Sequence, residues 1–183
     1  MRCFLGTELP QGVKKNVGEA RDLFGSLDAD IKVVKDENLH LTVKFLGQIK
    51  ERDISKVDVL ENRLEDLEPF DLEIRGMGSF PNMDYMKVLW VGAGKGGRRF
   101  KEIISKTDKA LVKKGFKKDK NDPVPHITIG RVKSGRNKEL IRSKLKEWED
   151  RNFGSMKVNN ITLFESNLTP DGPIYKKIKD YEL

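Results

Sequence analysis

Glu37-Asn38-Leu39-His40-Leu41-Thr42-Val43 and Pro123-Val124-Pro125-His126-Ile127-Thr128-Ile129 set the same His-x-Thr frame into the two halves of a 183-residue chain. Each frame sits in a short run rich in β-branched and aliphatic residues, which predicts a strand. Side chains alternate across a strand, so His40 and Thr42 share one face while Leu39, Leu41 and Val43 share the other. The same parity groups His126 with Thr128. Positions two apart on a strand are about 6 to 7 Å apart, which leaves room for a tetrahedral anion between them. The apolar face is expected to be buried and the polar pair to face a cleft. These are the only two histidines of the chain, and no tandem repeat of fixed period accompanies them. The echo is local, and it divides the chain into two related halves.

Histidine is the side chain whose ordinary pKa, about 6.5, suits both proton donation and proton acceptance near neutrality. Two imidazoles on opposite sides of a phosphorus atom supply the base for the attacking oxygen and the acid for the departing one. Thr42 and Thr128 are placed to donate hydroxyl hydrogen bonds to the non-bridging oxygens, where charge builds in the transition state. Paired histidines also serve metals, but here they come without Cys ligands nearby and without an HExxH helix, so no metal is expected. No nucleophile elbow or Cys-based signature is present. Gly92-Ala93-Gly94-Lys95-Gly96-Gly97 lacks the order of a phosphate-binding loop and is expected to form a flexible turn.

Working outward, Met1 to Leu9 is expected to be a strand, and Val13, Val17, Ala20 and Phe24 recur at helical spacing. Ile31 to Val34 and Leu39 to Leu46 look extended. Asp53 is a candidate N-cap for a helix carrying Ile54, Val57, Leu64 and Leu67, closed by Pro69. Phe70 to Met77 and Met86 to Val91 predict a hairpin turning at Ser79-Phe80-Pro81-Asn82. Phe100, Ile103, Ile104, Thr107, Ala110 and Leu111 trace one face of a long helix ending near Gly115. Pro125 to Val132 is extended, and Leu140, Ile141, Leu145 and Trp148 predict a further helix with those residues inward. Two more strands are expected around Lys157 to Ser166 and Ile174 to Ile178. Helices and strands are interspersed with hairpin-like pairs, so the expected class is α+β with mainly antiparallel sheets.

The length suits one domain of one or two lobes, and residues 1–183 are expected to form it. Charged residues make up 36% and the formal charge is +7, a balance that favours an anionic partner such as RNA. Cys3 is the only cysteine, so no intramolecular disulfide forms. The amino terminus does not read as a signal peptide, and no apolar run is long enough to span a bilayer. A soluble, cytoplasmic protein is expected, without membrane association. The scarcity of Gln and Cys beside many Lys and Glu leans toward a thermophilic source.

Both frames, together with Arg2-Cys3-Phe4-Leu5, Lys44-Phe45-Leu46-Gly47, Leu89-Trp90-Val91-Gly92, Gly130-Arg131-Val132 and Glu165-Ser166-Asn167-Leu168-Thr169-Pro170-Asp171-Gly172-Pro173-Ile174-Tyr175, resemble the two-histidine (2H) phosphoesterase superfamily. Within it, the chain is similar to the LigT or ThpR group, the RNA 2′,3′-cyclic phosphodiesterases historically called 2′-5′ RNA ligases. The resemblance covers nearly the whole chain. It implies a bilobal fold of two pseudo-symmetric, mainly antiparallel lobes with flanking helices around a central cleft. It also implies hydrolysis of a terminal 2′,3′-cyclic phosphate to a 2′-phosphomonoester, with no cofactor. By resemblance His40 is the proton donor to the 3′ oxygen and His126 the proton acceptor that activates water; the two frames are too alike for the residues themselves to divide these roles.

Lys44 shares parity with His40 and is a candidate phosphate ligand, whereas Arg131 is out of parity with His126 and needs a bulge to approach the site. Phe45 and Phe80 are candidate base-stacking residues, and Tyr175 a further substrate contact. The run Lys113, Lys114, Lys117, Lys118 and Lys120 reads either as a solvated face or as an RNA path. The expected partner is RNA with a 2′,3′-cyclic phosphate end, tRNA fragments among the candidates, bound by a monomer. An RNA ligase forming 2′-5′ linkages and a non-catalytic RNA-binding module are the alternative functions.

Overall fold

A computed structural model describes residues 1–183. The histidine frames fall in β3 (His40–Gln48) and β6 (His126–Val132). These two strands are the centre of a nine-stranded sheet whose order is β7-β4-β5-β6-β3-β1-β8-β9, with β2 (Ile31–Val33) paired to β6 off that path. The other strands are β1 (Arg2–Glu8), β4 (Phe70–Pro81), β5 (Met86–Ala93), β7 (Asn152–Val158), β8 (Asn160–Thr169) and β9 (Gly172–Glu182). Every pairing is antiparallel, as the hairpin pattern predicts.

The sheet divides into two lobes of four strands, β7-β4-β5-β6 and β3-β1-β8-β9, that meet at one pair of residues, Leu41 and Ile127. Both are fully buried, and burying an aliphatic side chain of this size contributes about 1.5 to 3 kcal/mol. Their other faces, one residue to either side, carry the His and Thr side chains. Because β3 and β6 run antiparallel about this pair, His40 lies level with Thr128 and Thr42 with His126.

The lobes repeat one connectivity. β1 leads through α1 (Gln11–Gly25) toward β3, and β5 leads through α4 (Gly97–Val112) to β6. Each helix then crosses: α1 packs against β6, β7 and β2, whereas α4 packs against β3 and β4. The residues read as one helical face are the buried ones in both, Val13, Val17, Ala20 and Phe24 in α1 and Phe100, Ile103, Ile104, Thr107, Ala110 and Leu111 in α4. One contiguous cluster of 36 buried residues joins the lobes.

Four local expectations need correction. The helix from Asp53 is broken into α2 (Ile54–Val57) and α3 (Glu61–Leu64) by 3-10 turns at Glu51–Asp53 and Asp58–Leu60, and Asp53 makes no side-chain cap to α2. Its carboxylate instead accepts from the Lys50 N–H. In α5 (Lys138–Glu147) Ile141 and Leu145 are buried, but Leu140 faces solvent. The tail forms three strands rather than two, β7 ending at Val158 and β8 beginning at Asn160. Finally, β4 runs on through Ser79 and Phe80 to Pro81, and the hairpin turns one step later, where Asn82 Oδ1 accepts from the N–H groups of Asp84 and Tyr85.

The glycine run enters α4 as a defined turn. Gly96 has φ +87°, and a Cβ there would collide with the Asp71 carbonyl, so only glycine fits. The Lys95 N–H beside this turn donates to the carboxylate of Glu73.

Candidate active site

Both histidines are held the same way. His40 Nδ1 lies 2.7 Å from the carbonyl oxygen of Asn38, and His126 Nδ1 lies 2.7 Å from that of Val124. A carbonyl only accepts, so each Nδ1 carries the proton and each neutral ring leaves Nε2 bare. Thr42 Oγ1 lies 3.0 Å from His40 Nε2, and with the ring neutral the hydroxyl donates. When His40 is protonated the direction reverses, and the Thr42 hydroxyl hydrogen is released toward the cleft. The hold on each histidine runs through the backbone of the residue two before it, so this hold asks for no particular side chain, Asn38 in one lobe and Val124 in the other. For that reason no side-chain signal marks these positions in the sequence.

Burial pushes both imidazoles below their ordinary pKa; the Asn38 and Val124 carbonyls work in the opposite direction without overcoming it. His126 lowers His40 further by charge repulsion, which disfavours double protonation. Aromatic walls support each ring. Phe4 and Tyr175 stand 4.7 and 5.3 Å from the His40 centroid, Tyr175 edge-on, and Phe80 stands edge-on to His126 at 4.9 Å with Trp90 behind it.

Beyond each threonine the strand bulges. Across the bulge in β3, Thr42 pairs with Gly6 but Lys44 with Leu5, leaving Val43 as the extra residue. Across that in β6, Thr128 pairs with Trp90 but Gly130 with Leu89, leaving Ile129 as the extra residue. An extra residue inverts the parity of everything after it. The consequence overturns the placement of Lys44: its side chain is fully buried on the far face. Its ammonium there bonds Asp108 at 2.5 Å, the Lys117 carbonyl at 2.9 Å and Asp119 at 3.1 Å. Phe45 turns to the cleft in its place, 64% exposed. Arg131, which needs such a bulge, has one and faces the cleft.

Two cavities meet at the histidines. One, of about 370 Å³, is lined by His40, Tyr175, Asn38 and residues of β2; the other, of about 760 Å³, is lined by His126, Phe80 and the loop 119–124. Thr42, Phe45, Thr128 and Arg131 line both. The candidate side chains other than Lys44 therefore gather around one cleft, and Lys44 borders its His126 side with the ammonium committed to Asp108, Asp119 and the Lys117 carbonyl. Of the lysine run only Lys120 reaches it. Asn38, Lys32 and Lys35, which the sequence does not single out, line it as well.

This arrangement, a bilobal antiparallel sheet presenting one His-x-Thr strand from each lobe to a shared cleft, places the protein among the two-histidine phosphoesterases. More narrowly, the chain belongs to the family described as the AKAP7 2′5′ RNA ligase-like domain, whose model matches residues 11–183. It is 38% identical to the RNA 2′,3′-cyclic phosphodiesterase of Methanothermobacter thermautotrophicus, over 100% of this chain and 99% of that one. It is 36% identical to the protein of the same name from Methanocaldococcus jannaschii, over 99% and 100% of the two chains. Among solved structures, Thermus thermophilus TT0787 superposes with a TM-score of 0.81 at 27% identity, covering 100% of this chain and 98% of that one. E. coli LigT complexed with 3′-AMP superposes with a TM-score of 0.80 at 20% identity, covering 100% and 97% of the chains, which shows the shared fold.

Proposed function

We propose that the protein hydrolyses 2′,3′-cyclic phosphate ends of RNA to 2′-phosphomonoesters, with His40 as proton donor and His126 as proton acceptor. The observation that carries this is the pair of imidazoles on one cleft, each ring fixed by an Nδ1–H bond to the carbonyl two residues upstream so that Nε2 is the atom left for proton transfer. His126 Nε2 takes a proton from water as the water oxygen bonds to phosphorus. The bond from phosphorus to O3′ breaks, and protonated His40 gives its Nε2 proton to O3′. The products are a 3′ hydroxyl and a 2′ phosphate, and solvent resets both rings. Thr128, and Thr42 while His40 is protonated, donate to the non-bridging oxygens. Arg131 adds a charged hydrogen bond to the phosphate, and Phe45 offers an exposed ring to a base.

The scheme uses no metal and no cofactor. Residues 1–183 act as one bilobal unit, α1 packing against β6 and β7 and α4 against β3 across the lobes, and the enzyme works as a monomer in this scheme. No helix is long and apolar enough to cross a membrane, in keeping with a cytoplasmic enzyme acting on RNA ends such as those of tRNA fragments. The test is incubation with an oligonucleotide bearing a 2′,3′-cyclic phosphate in excess chelator. A 2′-phosphate product supports the scheme. A 3′-phosphate product, a new 2′-5′ linkage as the main product, or loss of turnover on chelation overturns it.

A further inference from the structure

The two cavities that meet at the histidines differ in charge. The one on the His40 side is lined by Arg2, Lys32, Lys35, Arg131 and Lys133 against a single carboxylate, Asp171. None of these five cations takes part in an ion pair, so apart from Asp171 their charge is uncompensated within the cavity. On the His126 side Lys87, Lys120 and Arg131 face Asp119 and Asp122, and Lys44 is already committed. A cluster of uncompensated cations in a cleft raises the local potential and attracts a polyanion. Lys32 lies on β2, Lys35 just beyond it, and Lys133 just beyond β6. β2 is the one strand that the other lobe does not match.

The direction of the reaction selects between the cavities. Attacking and leaving oxygens lie in line across phosphorus. If His126 activates water and His40 protonates O3′, the ribose that carries O3′ lies on the His40 side, and so does the strand that continues from its 5′ phosphate. We propose that the basic cavity beside β2 seats the phosphates of the nucleotides preceding the cyclic end, so that the enzyme selects oligonucleotide ends over cyclic mononucleotides. This rests on the hydrolysis and the roles proposed above. Asn38 adds a second observation. It is 4% exposed, its Nδ2 donates to the Pro173 carbonyl at 2.8 Å, and its Oδ1 has no partner. A ribose hydroxyl from the preceding nucleotide, present in RNA and absent from DNA, supplies the donor.

The experiment compares kcat/KM for a 2′,3′-cyclic mononucleotide and for a short oligoribonucleotide with the same cyclic end, in the wild type and in the triple variant K32E/K35E/K133E. All three positions are exposed, so the charge reversal spares the core. The wild type should favour the oligonucleotide by about tenfold or more at low salt, an advantage that shrinks as salt rises. In the variant the ratio should fall toward one. Equal wild-type rates on the two substrates, or a ratio that survives the triple reversal, would overturn the placement while leaving hydrolysis intact. Turnover of neither substrate would sink the hydrolysis itself, and the placement with it.

Discussion

β3 and β6 begin alike and end differently. Each opens with His-x-Thr, each histidine donates an Nδ1–H hydrogen bond to the carbonyl two residues upstream, and each strand bulges just past its threonine. After the bulge, Lys44 in one stands where Gly130 stands in the other, and Phe45 where Arg131 stands. The first difference concerns how each strand holds the crossing segment of the other half. Gly130 lets β2 lie directly against β6: a Cβ there would meet Ile31 Cγ2 at 3.1 Å and the Lys32 carbonyl at 3.3 Å. Lys44 reaches instead with its ammonium to Asp108, Asp119 and the Lys117 carbonyl, tying down the loop that leads to His126. The second difference sorts the cleft, an aromatic ring on one rim and a guanidinium on the other. The His-x-Thr frame is common to both strands, and the strands diverge only after the bulges.

The sharpest way to break the symmetry is to remove one imidazole. His40→Ala and His126→Ala should each lower kcat by about 10² to 10⁴ while circular dichroism stays native; near-normal turnover by either removes it from the chemistry. Next in size is Lys44→Met, which strands two carboxylates. With Asp108 and Asp119 partly exposed, the expected loss is about 2 to 3 kcal/mol, at or below the lower end for breaking a buried pair. Chemical denaturation measures it, and an unchanged midpoint would mean the loop needs no such anchor.

The rims should separate kinetically. Phe45→Ala should cost about 1 to 3 kcal/mol in KM through lost stacking. Arg131→Ala should cost about 1.5 to 3 kcal/mol, shared between kcat and KM because charge on the phosphate grows in the transition state. Identical kinetic signatures for the two would erase the proposed division. Gly130→Ala is the mildest, about 1 kcal/mol, since β2 must shift by a few tenths of an ångström.

A pH titration tests what the strands share. Burial lowers both imidazoles, so between their folded values and about 6.5 the unfolded chain binds more protons. Stability is therefore complete above about 6.5 and is lost as pH falls through the lowered folded values. The kcat/KM profile should be bell-shaped with its maximum on the acid side of 6.5. A maximum well above that would contradict the environment described for the two rings.

The core of the site is legible along the chain because parity is a local property. Two residues apart on a strand means one face, so His40 with Thr42 and His126 with Thr128 follow from spacing alone. Parity fails where a bulge intervenes, and a bulge is decided by the neighbouring strand, which is why Lys44 and Arg131 exchanged their expected orientations. The break in the helix after Asp53 and the outward turn of Leu140 have the same origin, since propensity and periodicity yield to what packs against the segment.

By itself, then, the sequence determined the composition of the machinery: two histidines, two threonines, two related halves and an α+β class. Only the tertiary structure decided that the halves meet at Leu41 and Ile127, that α1 and α4 each reach strands of the other lobe, and that Lys32, Lys35 and Lys133 gather on the His40 side. The physical reason is distance along the chain. Alternation and helical period act over a few residues, whereas strand neighbours, bulges and the pairing of charges are settled by segments scores of residues away, and those contacts exist only after folding.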